Sequence, residues 1–279
     1  MYARDVMTSP VYTISQNETV AHARNLMVRH KISRLLVMEG GALTGILTKK
    51  DIAYRMRQGE PAWRRRPLDR IPAGVLATEK PVTAGPDTIL QEIARLFAAK
   101  GISSVPILED GLVAGIVTKT DLMKSALVRN LHGSAGDVME DVPVVSRYHS
   151  LNHVVSVMKE RNDKVLVCDE ESVPVGIITE TNLAFYEDEP GISGVVGKDV
   201  TIVRRGTSQG KSGMGLLSVA SVTAGDVMTS PVITVPAKTD LQEVIAMMGR
   251  HHVNSLVVME DGTISGIVKR DDIIKEVAK

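Results

Sequence analysis

The feature that most constrains this chain is that it repeats itself. Gly followed by two apolar residues recurs four times, with an acid-type residue six positions after the glycine. The copies are Gly45-Ile-Leu-Thr48-Lys-Lys-Asp51, Gly115-Ile-Val-Thr118-Lys-Thr-Asp121, Gly176-Ile-Ile-Thr179-Glu-Thr-Asn182 and Gly266-Ile-Val-Lys269-Arg-Asp-Asp272. Upstream, VMTSPVYTI begins at Val6 and VMTSPVITV at Val227, with weaker copies around Pro81 and from Val138. A self-similar chain is built from one supersecondary unit, whose apolar face is buried only when copies stack.

Each copy carries the same local signals. In the first, Val11 to Ile14 predicts a short strand. Asn17-Glu18-Thr19 supplies cap-type residues before an amphipathic helix through Val20, Ala23, Met27 and Val28. Leu35 to Met38 predicts an apolar strand, Glu39-Gly40-Gly41 a turn, Leu43 to Leu47 a further strand, and Asp51 opens a second helix. The pattern is α/β (α+β), in the order strand, helix, strand, strand, helix. A unit of roughly 50 residues with a three-stranded sheet is marginal alone. Repeats 1 and 2 are therefore expected to pair within residues 1–130 (about 6–57 and 75–128), and repeats 3 and 4 within 131–279 (about 137–186 and 226–278). An insertion at 187–225 separates repeats 3 and 4; it is rich in Gly and Ser, and its VTIV run predicts an extra strand.

Aromatic residues are only 3% of the chain, so Val, Ile, Leu, Ala and Met must fill the core. Lys+Arg and Asp+Glu are both 33, so no overall field favours nucleic acid or an anionic membrane. The single cysteine, Cys168, lies in VLVCD and reads as a buried strand thiol in a reducing compartment. The amino terminus lacks the apolar core of a signal peptide, and no run approaches the roughly 18 apolar residues of a membrane span. A cytoplasmic protein with no membrane contact is expected.

The V-M-T opening, the Gly-h-h-Thr-x-x-Asp signature (h, apolar) and the order of elements resemble cystathionine-β-synthase-type (CBS) domains, over nearly the whole chain. The four-copy arrangement is similar to the γ subunits of AMP-activated protein kinase and to stand-alone archaeal and bacterial four-CBS proteins. The resemblance implies two pairs (Bateman modules) forming a disc, as a monomer or a homodimer. It also implies clefts that bind AMP, ADP or ATP, no required cofactor, and regulation of a partner protein rather than catalysis.

Carried onto this sequence, the resemblance implies unequal clefts. The best joins Thr118, Thr120 and Asp121 to Thr8, Val11, Ile32 and Arg34, with Arg34 as a phosphate-binding residue. A second joins Thr48, Lys50 and Asp51 to Val82, Ile102 and Ser104; it lacks the Arg, with Lys50 to compensate. A third joins Thr179 and Asn182 to Thr229, Val232 and Val253, with Asn in place of Asp. A fourth has Asp272 but Lys269 at the Thr position and Asp163 in the base pocket, and is expected to be empty or altered.

The chemistry suits a nucleotide independently of the family. An Asp in the first turn of a helix accepts two hydrogen bonds from a vicinal diol, a nearby hydroxyl assists, and first-turn amides favour phosphate. Apolar strand ends sandwich a planar base. The same signature also simply caps a helix, which is worth about 1 kcal/mol.

Other signals give rival readings. An S-adenosylmethionine-type ligand is the alternative within the same clefts. The linker 55–70, with Arg55, Arg57, Trp63-Arg64-Arg65-Arg66 and Arg70, offers a basic footprint for nucleic acid or an acidic partner. The string from Arg205 to Ser212 has three residues between Gly206 and Gly210, where a P-loop needs four. His251-His252 lacks further residues at ligand spacing and reads as a helix end. No nucleophile–base pair is recognisable, so no enzymatic activity is expected.

Overall fold

In the computed structural model, which describes residues 1–52, 67–160, 164–185, 201–205, 213–217 and 222–279, the repeats follow the expected order of elements. In repeat 1 a strand at Thr13–Ser15 leads into a helix at Val20–Arg29. The hairpin Arg34–Glu39 and Ala42–Thr48 follows, and then a helix that begins at Lys49. The Thr19 hydroxyl accepts from the His22 N–H (3.1 Å), satisfying one of the open amides that start the first helix. Val20, Ala23 and Met27 recur at helical spacing and are buried. Val28, expected on that face, is 57% exposed, because one residue past Met27 turns about 100° round the helix.

The first strand runs parallel to the second, Ile14 opposite Val37, and the second antiparallel to the third, Val37 opposite Gly45. Repeats 3 and 4 reproduce this three-stranded order, with Val145 opposite Val167 and Val235 opposite Val258. Repeat 2 keeps the hairpin Ser104–Glu109 and Leu112–Thr118, but its leading strand shrinks to a parallel bridge, Ala84 to Ile107. The hairpin turns Gly40-Gly41, Asp110-Gly111 and Asp261-Gly262 have positive φ at both central positions, the geometry that matches the twist of paired strands.

The segment leading each repeat crosses the last strand of another. Thr8 and Ile116 exchange backbone hydrogen bonds of 2.9 and 3.1 Å. Thr78 pairs with Ile46, Glu140 with Ile267, and Thr229 with Ile177. Each crossing passes over the signature glycine. A Cβ would lie 3.1 Å from Thr78 O at Gly45, 2.6 Å from Met7 Sδ at Gly115 and 2.7 Å from Glu140 O at Gly266. At Gly45 and Gly266 the crossing backbone takes the space a side chain would need, whereas at Gly115 and Gly176 the nearest atoms belong to the Met7 and Met228 side chains.

The described residues fall into two compact units, one drawn from Met1–Arg55, Arg66–Val142 and Val232–Lys279, the other from Pro143–Pro231. In the first, Leu90, Ile93 and Phe97 of the helix Leu90–Lys100 share a core with Leu241, Val244 and Met248, and with Ile273, Ile274 and Val277 of the last helix, Arg270–Ala278. Gln91 Nε2 and Arg95 Nε donate to the carbonyls of Val277 (3.5 Å) and Ala278 (3.2 Å), which close the last helix. The second unit has its own core around Val154, Val165, Val167 and Ile178.

Cys168 is buried in the strand Lys164–Cys168, as expected, and burial pushes its thiol pKa up. Thr201 to Val203 of the VTIV run lie in a strand, Thr201–Arg205, antiparallel to Gly213–Leu217. Gly206 to Ser212, Asp163, and Arg55, Arg57 and Trp63 to Arg66 of the basic linker lie outside the described residues. His251 caps the helix Leu241–Arg250, as its sequence position suggested. Among the described residues no group of three or more His, Cys, Asp or Glu could hold a metal, and no helix is long and apolar enough to cross a membrane.

Candidate functional site

At the atomic level the signature is a reciprocal cap. Asp121 Oδ2 accepts from the Thr118 N–H (2.8 Å) and the Thr118 hydroxyl (2.6 Å), and Thr118 Oγ1 accepts from the Asp121 N–H (3.4 Å). Asp51 repeats this with Thr48, Oδ2 accepting from N and Oγ1 at 2.7 Å each. A single carboxylate oxygen thus serves both bonds, and among the described residues neither Asp121 nor Asp51 makes a hydrogen bond through Oδ1.

Repeat 1 supplies the other side of the Asp121 cleft. The Thr8–Ile116 crossing holds Thr8 beside the strand that ends in Thr118, and Val11 packs on Leu36, Ile46 and Ile116. Arg34 reaches across: its Nη1 donates to Ser103 O (2.6 Å), the carbonyl that also accepts from the Lys119 N–H (3.2 Å). Its guanidinium therefore lies at the first turn of the helix Lys119–Lys124. Burial, with Arg270 adding to it and Asp121 opposing, lowers the Arg34 pKa to about 10, still well above neutrality. Thr120 is exposed, and its hydroxyl accepts from Arg270 Nη1 (2.8 Å). Ile32 is half-buried just past the first helix, where its N–H donates to Met27 O (3.0 Å).

Around Asp51, the start of repeat 2 crosses at Ile46–Thr78 and Gly45–Glu79. Ser104 is buried at the place corresponding to Arg34, Ile102 packs against the first unit's core, Val82 is half-buried and Lys50 is exposed.

The remaining two signatures are occupied by their own surroundings. Asn182 Oδ1 accepts from Thr179 N (3.0 Å) and Oγ1 (2.7 Å), while its Nδ2 donates to Val227 O (3.0 Å) and Thr229 Oγ1 (2.9 Å). Its whole amide is used. Val232 and Val253 belong to the other unit, where the Val253 N–H donates to Met248 O (3.1 Å). Asp272 is only 4% exposed; Oδ2 accepts from Lys269 N and Oδ1 from Lys275 Nζ, both at 2.9 Å. Burial pushes its carboxyl pKa up, more than Lys275 and the Lys269 amide hold it down. The bond to Asp272 in turn raises Lys275. Lys269, standing at the Thr position, pairs with Glu140.

Glu140 and Arg270 were missed in the sequence. Glu140 was discoverable, because aligning VMED with VMTS puts it at the Thr8 and Thr229 position. Arg270 had no signal, since its role depends on repeat 4 lying against repeat 2, as does the Lys119–Asp271 ion pair (2.7 Å). A shallow depression of about 600 Å3 opens at the far ends of the repeat 1 strands, lined by Gln16, Glu39, Thr44, Glu79 and Lys80 among others. It touches no signature acid and lies apart from the chemistry just described.

The model of the CBS domain matches residues 3–58, 73–127, 135–189 and 224–279. Among relatives, the CBS domain-containing protein YhcV of Bacillus subtilis is 34% identical over 133 residues, 47% of this chain and 90% of YhcV. Protein MJ1225 of Methanocaldococcus jannaschii is 23% identical over 279 residues, covering 95% of this chain and 94% of its own. An A-adding tRNA nucleotidyltransferase of Geobacter sulfurreducens is 25% identical over 205 residues, of which this chain spans only 22% of the length. The crystal structure of MJ1225, described as a candidate archaeal homologue of γ-AMPK, superposes with a TM-score of 0.78 at 20% identity, over 99% of both chains. A conserved protein from Pyrococcus horikoshii superposes with a TM-score of 0.64 at 18% identity, over 99% of this chain and 100% of its own. With four matched repeats spread over most of its length, the chain belongs to the CBS domain family.

Proposed function

We propose that this chain is a non-catalytic regulatory protein that binds an adenosine nucleotide (AMP, ADP or ATP) between paired repeats, with residues 1–130 as the principal module. The observation that carries this is the Asp121 cleft, where an acid with an oxygen that makes no hydrogen bond among the described residues, a capping hydroxyl and a half-buried guanidinium converge. The ribose diol donates to Asp121 Oδ1 and Thr118 assists. The phosphate faces Arg34, and the base lies among Val11, Ile32 and the Thr8 backbone. S-Adenosylmethionine fits less well, because it has no phosphate for Arg34 and carries a net positive charge.

The Asp51 cleft offers the same acid geometry with Lys50 as its cation. Asn182 and Asp272 already have their polar atoms bonded within the protein, so a ligand there must first break those bonds. Two occupied clefts per chain are therefore expected. Ligand would regulate a protein partner by favouring whichever arrangement of the repeats it binds more tightly.

The test is thermal denaturation with AMP, ADP, ATP, NADH and S-adenosylmethionine, with Asp121→Ala alongside. A ligand at 100 times its dissociation constant adds roughly 2.7 kcal/mol, a rise of several degrees for a chain of this size. A rise with an adenosine nucleotide, diminished in Asp121→Ala, is expected; no rise with any of the five overturns it. Binding of nucleic acid with a steep salt dependence would point instead to the basic linker.

A further inference from the structure

The cleft between repeats 1 and 2 contains a second guanidinium, and it comes from repeat 4. Arg270 is the first residue of the helix Arg270–Ala278. Its Nη1 donates to Thr120 Oγ1 (2.8 Å), one residue from Asp121. Its Nε is buried and, among the described residues, has no hydrogen-bond partner, a costly state for a charged donor. It is close enough to Arg34 for the two cations to repel, and Asp121 draws on both. Asp121 acts on both guanidiniums and Asp271 on Arg270, while Asp271 is also paired with Lys119 (2.7 Å).

A phosphate resolves each of these features. Its several acceptor oxygens can bridge two planar guanidiniums, take the unbonded Nε–H and cancel the repulsion between Arg34 and Arg270. A neutral nucleoside supplies no such charge, and S-adenosylmethionine offers only the carboxylate of its methionyl end. We propose that Arg270 is a second phosphate-binding residue of the Asp121 cleft, so that one anionic ligand is held jointly by repeats 1, 2 and 4. This rests on nucleotide binding at that cleft, as proposed above.

The placement has a consequence for regulation. Helix Arg270–Ala278 is already tied to repeat 2 by Lys119–Asp271 and by Gln91 and Arg95 at its carboxyl end. A phosphate gripping Arg270 adds a further tie at its amino end. Occupancy of the cleft is thereby transmitted to the contact between repeats 2 and 4, within the first unit.

Calorimetric titration of the full chain with AMP, ADP and ATP, using Arg270→Gln and Arg270→Lys, tests this. Hydrogen exchange of residues 271–277, with and without nucleotide, is measured alongside. Arg270→Gln should weaken the preferred nucleotide about tenfold, as expected for loss of one charge-assisted contact, and Arg270→Lys should weaken it less. Nucleotide should slow exchange at 271–277 in the unsubstituted protein. Nucleotide binding within twofold of normal in Arg270→Gln overturns the assignment and leaves the cleft's nucleotide function standing; so does unchanged exchange at 271–277 in the saturated protein. No binding of any nucleotide to the unsubstituted chain overturns both. Should Arg270→Gln fail to fold, Arg270→Lys and the exchange measurement decide.

Discussion

Replacing Gly266 by alanine tests whether the signature glycine is required by the backbone that crosses it. In an ordinary strand the change is mildly favourable, since alanine leaves the unfolded chain about 0.4–1 kcal/mol less freedom to lose. Here the new Cβ would stand 2.7 Å from Glu140 O and 3.3 Å from Met139 Sδ. Glu140 O is a backbone atom that accepts from Ile267 N at 2.9 Å, while Glu140 N donates to Ile267 O at 3.0 Å. Relieving the clash therefore moves a strand and strains both bonds. Overpacking of this kind costs about 1–3 kcal/mol, and each hydrogen bond is worth about 1 kcal/mol net. The balance is a net loss of about 1–3 kcal/mol, at about 2–4 °C of melting temperature per kcal/mol. At Gly115 the nearest atom is Met7 Sδ (2.6 Å), the end of a flexible side chain, so the loss should be smaller. Gly249 is the control: it is helical, exposed and has nothing within 4 Å, so alanine there should stabilise by about 0.5–1 kcal/mol. Urea unfolding followed by circular dichroism reads all three. If Gly266→Ala were as stable as the unsubstituted chain, or less harmful than Gly115→Ala, the crossing would not be what demands glycine.

Two further predictions follow from the unequal signatures. Because burial raises the Asp272 pKa, its charged form costs stability at neutral pH, and the cost is relieved as pH falls through the raised value. Asp272→Asn, the residue that repeat 3 carries at Asn182, should thus be at least as stable at pH 7, its margin narrowing on acidification; a clearly less stable variant at pH 7 would show that pairing with Lys275 and Lys269 outweighs burial. Calorimetric stoichiometry should fall by about one nucleotide in Asp121→Ala and in Asp51→Ala, yet stay unchanged in Asp272→Ala. Loss of a site in the last variant would mean that Lys275 gives way to ligand.

Strands, helices and repeat limits were legible because their causes are local. Cap residues, alternating apolar runs and paired positive-φ turn residues act within a few positions, and four copies of one pattern reinforce one another. Even so, Val28 was placed on the buried face by its apolar character alone, whereas the angle round the helix decides. The acids Asp51, Asp121 and Asp272 and the amide Asn182 were visible as members of one motif, and as caps they behave alike.

Their differences come from what lies across from them. Asp121 meets Arg34 of repeat 1 and Arg270 of repeat 4, Asn182 meets Thr229, and Asp272 meets Lys275 beside a Lys269–Glu140 pair. Sequence alone determined the unit, its number of copies and the candidate acids, because helix and strand periodicity is written in neighbouring residues. Only the tertiary structure decided which acid keeps an unbonded oxygen and which cations share its cleft. Electrostatics and hydrogen bonding act through space, between residues as far apart along the chain as Arg34 and Arg270.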